Sequence, residues 1–325
     1  MLSGQRRIGK IDVHHHIFPP SEIYDKRGEN ARVGWRTPAE NLPWTPEKSI
    51  EFMDTFGIEK AILSYPAGFP PSTGPDATKI VRNANMYASD LCKRHPSRFG
   101  FFASLPQPSD PEVLAELDYA LDVLKADGIA LSSSYGAGSS AKYVADETYD
   151  SLWQALDDRR ATVFLHGCMT PSSTPYPHET LGLPVCEVPN ETFKAAAHLV
   201  VTGKKRRYSN VTIILAHLGG CTPFLAPRVA VLSNHMGCQL SPEEIINDFK
   251  TFYYETALSA HESTLEMVMR SVGPERVLLG TDFPAVSERM INWYNEQLIE
   301  FLTPDEAVAA AVLRDNALRL LAQST

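Results

Sequence analysis

Eight short, β-rich apolar runs, helical patterns in the gaps between them, and polar residues gathered at the ends of the runs predict an α/β fold. The class they specify is a (β/α)8 TIM barrel with long lid loops after strands one and five. The runs are "KIDVHHH" (10–16), "EKAILSYP" (59–66), "RFGFFASLP" (98–106), "GIALSSSYG" (128–136), "ATVFLHG" (161–167), "VTIILAHLGG" (211–220), "FYYETAL" (252–258) and "RVLLGTDFP" (276–284). Most are continuous apolar stretches, as parallel strands covered on both faces require. A doubly wound sheet is the main alternative. It would normally carry a glycine-rich phosphate loop after its first strand, and here that strand ends in histidines.

The gaps carry helix signals. "TPEKSIEFMDTFG" opens with a Thr cap and a Pro at the first helical position, and closes with Gly57. "SDPEVLAELDYALDVLKADG" opens similarly, keeps apolar residues at helical spacing and closes with Gly128. "DETYDSLWQALDDRR" and "NETFKAAAHLVVTGKKRRYSN" fill the next two gaps. Two connections are long: 18–46, with Trp35, Trp44 and several prolines, and 168–190. Both follow strands, so a barrel places both on its C-terminal face, where loops of this length are often functional. No linker, low-complexity segment or short repeat divides the sequence, and residues 1–325 are read as one domain.

Composition narrows the function classes. Hydrophobic residues make up 43% and charged residues 21%, which suits a sizeable core. The net charge of −9 argues against a nucleic-acid surface, though not against an anionic substrate in a local pocket. Cys92, Cys168, Cys186, Cys221 and Cys238 are an odd, scattered set without CxxC spacing, read as free thiols in a reducing compartment. The opening "MLSGQRRIGK" lacks a signal-peptide core, and no run approaches the roughly 18–20 apolar residues of a membrane span. A cytoplasmic protein with no membrane or nucleic-acid partner is expected.

In such barrels the chemistry sits at the C-terminal ends of the strands. Strand one ends in His14, His15 and His16. Three internal histidines after an apolar run are not a purification tag, which is longer and terminal. Side chains alternate along a strand, so His14 and His16 share a face and His15 points away. Strand five ends in His166, strand six in His217 and strand eight in Asp282. Singly, each is an ordinary polar strand end. Together, His14, His16, His166 and Asp282 make an N3O set that suits catalytic Zn2+ and would also hold Mn2+ or Fe2+. His95, His198 and His235 fall in helical patterns and are read as surface or packing residues. His178 and His261 could line the pocket but carry no motif.

"DVHHH" matches the D-x-H-x-H opening of the amidohydrolase superfamily. "FLHG", "LAHLGG", "GTDFP" and the closing "LRDNALRLL" resemble the later motifs of its decarboxylase branch, the group that includes aminocarboxymuconate semialdehyde decarboxylase. The resemblance runs from Ile11 to Leu321. It implies that His14, His16, His166 and Asp282 are metal ligands and that His217 is the active-site histidine of strand six. Many binuclear members carry a lysine at the end of strand four. This sequence has "LSSSYG" there, which argues for one divalent ion per chain, Zn2+ or Mn2+. The reaction implied is non-oxidative decarboxylation of an ortho-hydroxybenzoate of aromatic polyketide metabolism, with no organic cofactor and a small aromatic carboxylate as substrate. Asp282 is the first candidate for the proton donor, and His217 the second. The branch also implies a homodimer and an arginine near the site, here Arg228. Phe18 and Phe283, beside the metal motifs, could flank the aromatic ring, or could equally be core. A mononuclear hydrolase of a lactone or amide, using the same ligands with His217 as base, is the alternative. A purely structural zinc site is a third reading, since four protein ligands could close one.

Overall fold

The computed structural model of the protein describes residues 9–18, 20, 37–70, 75–136, 140–168, 178 and 180–322. Eight parallel strands run in chain order around one sheet: β1 (Lys10–His16), β2 (Ile58–Ser64), β3 (Phe99–Ser104), β4 (Gly128–Ser132), β5 (Thr162–His166), β6 (Thr212–Leu215), β7 (Tyr253–Glu255) and β8 (Val277–Leu278). The sheet closes where β1 meets the chain after β8. Val13 N–H donates to Leu279 O, Asp282 N–H to His14 O at 2.8 Å, and His16 N–H to Phe283 O at 2.7 Å. His15 and Phe283 form a parallel bridge across this seam. The architecture is a (β/α)8 barrel.

Helices cover the outside. They are α1 (Pro46–Phe56), α2 (Pro75–Arg94), α3 (Val113–Asp118), α4 (Asp150–Asp158), α5 (Leu183–Val201), α6 (Thr222–His235), α7 (Pro242–Phe249), α8 (Glu262–Val272) and α9 (Glu288–Leu302), with shorter helical turns between and after them. α1 shows how local sequence sets a boundary. The Thr45 hydroxyl accepts from Lys48 N–H at its start, and Gly57 takes φ +70° at its end, a left-handed turn that costs glycine nothing. No helix among the described residues is long and apolar enough to cross a membrane.

Two apolar layers result. Ile11, Val13, Ile62, Phe102, Phe164, Ile214 and Leu278 fill the barrel, and Leu320 and Leu321 of the last helical turn pack on the same cluster. That turn closes the end opposite the strand tips, because Asn316 donates to Pro274 O and Val277 O where β8 begins. A larger cluster lies between strands and helices and includes Phe52, Met53, Leu63, Trp153, Leu165 and Leu199.

Several segments differ from their sequence-based limits. Regular strand in "RVLLGTDFP" ends at Leu278; the following residues are held by β1 and not by ladder pairing, which frees Asp282 to turn inward. "FYYETAL" is strand only over Tyr253–Glu255. After β4, Ser134–Tyr135 pairs antiparallel with Lys142–Tyr143 as a small outer hairpin. The second long loop is shorter than expected, because α5 already begins at Leu183. Its first turn accepts Pro184, whose missing N–H has no helical partner at that position, and the helix runs on past Pro189. Most of the two expected lid loops (residues 19, 21–36, 169–177 and 179) lies outside the described residues.

Candidate metal centre

β1 carries an irregularity that decides its geometry. Asp12 pairs with Ala61 and His15 with Leu63, so three steps on β1 match two on β2. Asp12 and His15 therefore share the outer face, while His14 and His16 turn inward. His15 is spent in the wall: its Nδ1 lies 3.0 Å from Asp12 Oδ2 and its Nε2 2.9 Å from Ser49 Oγ, which also accepts from Trp44 Nε1. Asp12 accepts three further bonds, from His14 N–H, Thr281 N–H and the Thr281 hydroxyl. This knot holds the β1–β8 seam.

His14, His16, His166, His217 and Asp282 are brought together at the strand tips. Ring centroids of His14 lie 4.7 Å from His16, 5.1 Å from His166 and 5.0 Å from His217. Each ring has its Nδ1 committed. His14 Nδ1–H donates to Glu255 Oε1 at 2.7 Å, and His16 Nδ1–H to Ser64 O at 3.1 Å. His166 Nδ1–H donates to Gly167 O at 2.8 Å, and His217 Nδ1–H to Ala257 O at 3.0 Å. Carbonyl and carboxylate oxygens can only accept, so in the neutral rings every Nε2 is a bare lone pair. His14 Nε2 and His16 Nε2 are 3.0 Å apart, and Asp282 Oδ1 lies 3.4 and 3.1 Å from them. Acceptors this close need a positive charge among them, which a proton on His14 Nε2 or a divalent ion would supply. Ring orientation by outer N–H bonds is also how metal-binding histidines are held. The ligand atoms of His14, His16 and His166 all fall within 4.8 Å of one another, so with Asp282 they could hold a divalent ion.

The electrostatics agree with this donor set. Burial pushes the His14 imidazolium down, but Glu255 and Asp282 outweigh it and raise His14 to about 10. A cation at that point is strongly favoured. Burial lowers His16 despite the Asp282 bond, and it lowers His166 well below the usual range, with neighbouring histidines adding to the effect. Burial would raise Asp282, yet His14 and His16 hold its carboxyl well below the ordinary carboxylate range. The backbone is bent to deliver these groups: His217 has φ +56° and Asp282 φ +63°, left-handed values that non-glycine residues rarely adopt and that cluster at functional sites.

A cavity of about 330 Å³ opens above His16, His166, His217 and Asp282. Its remaining wall is mostly apolar: Pro66 and Ala67 after β2, Pro184, Val185, Val188 and Pro189 of α5, Leu258, Ala285, and Met290 of α9, with Ser259 and Tyr294 the other polar members. Phe18, Arg228 and Phe283 are not among the described residues lining it. Phe283 is buried and stacked on Phe52 at 4.1 Å, because alternation past Asp282 sends it outward into the core. Phe18 is half-buried against the same core, and Arg228 is exposed on α6. His178 binds Thr180 at the surface, and His261 caps α8 and stacks on Trp293.

Sequence reading missed Glu255. Its signal was a lone carboxylate at the end of an otherwise apolar strand. It is fully buried and accepts from His14 Nδ1–H, from His217 N–H at 2.6 Å and from Ala257 N–H at 2.7 Å. Burial would raise its carboxyl, but His14 and His217 keep it below the ordinary range.

Residues 11–323 match the family model described as amidohydrolase. The chain is 35% identical to a decarboxylase of Aspergillus niger, covering 96% of this chain and 87% of that one. It is 34% identical to the 6-methylsalicylic acid decarboxylase of Penicillium expansum, covering 92% of each. Among solved structures, the dihydroxybenzoic acid decarboxylase of Polaromonas sp., with bound manganese and 2-nitroresorcinol, superposes with a TM-score of 0.81 at 22% identity, over 98% of both chains. That last likeness bears on the fold.

Proposed function

The chain belongs to the amidohydrolase family, and from that premise we propose that it removes CO2 from an ortho-hydroxybenzoate without oxidation, converting 6-methylsalicylate to 3-methylphenol. We assign His14, His16, His166 and Asp282 as ligands of one divalent ion, zinc or manganese. The observation that carries the reading is the convergence of bare imidazole lone pairs and one carboxylate at the floor of an otherwise apolar cavity. An aromatic ring with one polar edge fits that division.

An ion held by these four residues would supply Lewis acidity toward the oxygens of the substrate. The chain's own groups handle the proton. Asp282 is ionised at rest, so it can take the phenolic proton as substrate settles and then deliver it to the ring carbon bearing the carboxylate. Protonation breaks aromaticity, and loss of CO2 restores it. His217, whose Nδ1–H is fixed on Ala257 O, turns Nε2 to the cavity and returns a proton from water to the product oxygen. The apolar wall of α5 and Met290 excludes water from the ring face. No step requires an organic cofactor.

We read residues 1–325 as one domain acting as a homodimer. The dimer implied by family resemblance would cover the exposed apolar side chains Phe224, Val231 and Met236 on and just after α6, where Arg228 also lies. Five cysteines with no disulfide among the described residues suit a cytoplasmic setting. The experiment is a screen of metal-loaded protein against substituted salicylates, a lactone and an anilide. Release of CO2 from the salicylates supports the reading. Acid released from the lactone or anilide, with the salicylates intact, would replace it with hydrolysis.

A further inference from the structure

We propose that Glu255 is a positioning residue that couples the two halves of the site, setting the His14 ring on one side and the His217 turn on the other. The inference rests on the metal reading above, and it concerns a residue that no strand-end motif singles out. One oxygen, Oε1, accepts both the His14 Nδ1–H at 2.7 Å and the His217 backbone N–H at 2.6 Å. The other, Oε2, accepts Ala257 N–H at 2.7 Å, and Ala257 O in turn receives His217 Nδ1–H. A single carboxylate thus decides which nitrogen of His14 is bare, and it clasps both backbone ends that orient His217.

Three features show that the surroundings are fitted to this group. Glu255 is fully buried, and an ionised carboxylate there is tolerable only because donors meet it at both oxygens. His217 and Leu218 sit at φ +56° and +51°, and the bond from Glu255 to His217 N–H holds the first of these strained residues. Gly280 completes the cradle. A Cβ there would stand 1.8 Å from Glu255 Oε2 and 2.8 Å from His14 Cβ, so a side chain at this position would press on the carboxylate first and on the His14 side chain it orients second. The consequence for function is a division of effects. Removing the His14 arm misorients a ligand and lowers metal affinity. Removing the His217 arm frees a proton-carrying ring and lowers turnover even when metal is saturating.

The test uses full-length E255Q and G280A. Manganese dissociation constants are measured by competition with a chromophoric chelator, and circular dichroism reports folding. E255Q keeps the size of the side chain but cannot accept at both ends. Its manganese affinity should fall by about 10–100-fold, the usual effect of losing an outer partner of a ligand, and G280A should fall in the same direction. At saturating manganese, kcat of E255Q should remain about tenfold or more below the parent, with KM changed less. Affinity within twofold of the parent in folded E255Q would overturn the proposal. Full recovery of kcat at saturating manganese would overturn the coupling to His217. An E255Q chain that fails to fold with or without manganese would also overturn it, by making Glu255 a folding residue. The titration involves no decarboxylation, so it can fail while the proposed reaction stands, and succeed if that reaction is wrong.

Discussion

His14 Nε2 and His16 Nε2 face each other at 3.0 Å with their ring hydrogens committed to Glu255 and Ser64 on the far sides. Two neutral acceptors at that distance repel, so the pair needs a positive charge, which the proton on His14 supplies in the metal-free chain and which we assign to the ion in the loaded one. His14→Ala and His166→Ala should therefore lose the ion while the barrel stays folded. Their loss of affinity should exceed the roughly 10–100-fold expected for an outer partner. Elemental analysis after gel filtration, beside circular dichroism, checks this. Stoichiometric metal retained by both variants would remove these residues from the ligand set.

His15 provides the internal control. It lies one residue from two proposed ligands, but its nitrogens are taken by Asp12 and Ser49 in the wall. His15→Gln should lower stability by about 1–3 kcal/mol through disturbed buried hydrogen bonds, yet keep metal. His16→Gln should do the reverse. Urea unfolding and metal content, measured on the same preparations, separate the two effects. Equal metal loss in both folded variants would contradict the facing assigned to β1.

Metal uptake should displace a proton. His14 is raised from 6.5 to about 10, so across that window the metal-free protein holds a proton that the neutral ligand form must give up. For the metal-free chain, this proton's contribution to stability is full below pH 6.5 and is lost as pH rises through about 10. Metal binding runs the opposite way, and apparent affinity should rise by about tenfold per pH unit within the window. Calorimetric titration with manganese in two buffers of different ionisation enthalpy counts the proton released. A count of zero at pH 7 would contradict the charge state assigned to His14.

The sequence made the barrel and the strand-tip groups legible because both depend on period and position. Apolar runs alternating with helical patterns specify eight parallel strands, and the fold then brings His14, His166, His217 and Asp282 together with no further information. Other features were not legible. Glu255 looked like one polar residue in "FYYETAL", because its importance lies in donors that come from β1 and from the turn after β6. The place of Phe283 after Asp282 leaves ring contact and core equally open, and the register of the seam decides for core by sending it onto Phe52. The last part of the 168–190 connection reads as loop in the sequence, whereas α5 already begins at Leu183 with Pro184 in its first turn. Glu255 and Phe283 depend on partners distant in sequence, whereas the start of α5 is a local boundary.

Asp282 and His217 should separate by phenotype. Asp282 touches both His14 and His16, so Asp282→Asn should weaken metal binding and slow turnover together. His217→Asn should slow turnover by about 10²–10⁴-fold, the range for a general acid or base, with metal content unchanged. Steady-state kinetics at saturating manganese, with metal analysis of the same samples, distinguishes them. Normal turnover in metal-loaded His217→Asn would remove that residue from proton transfer.

In the proposed reaction the proton enters at the carbon losing CO2, and an ortho hydroxyl makes this possible. The most direct measurement incubates metal-loaded protein with 6-methylsalicylate in D2O, beside 2-methylbenzoate, which has the same ring and methyl group without the hydroxyl. The expected product is 3-methylphenol carrying one deuterium at the carbon that bore the carboxylate, with no reaction of 2-methylbenzoate. Intact 6-methylsalicylate and other ortho-hydroxybenzoates, together with opening of a lactone by the same preparation, would contradict the proposed reaction and leave only the barrel and its metal centre.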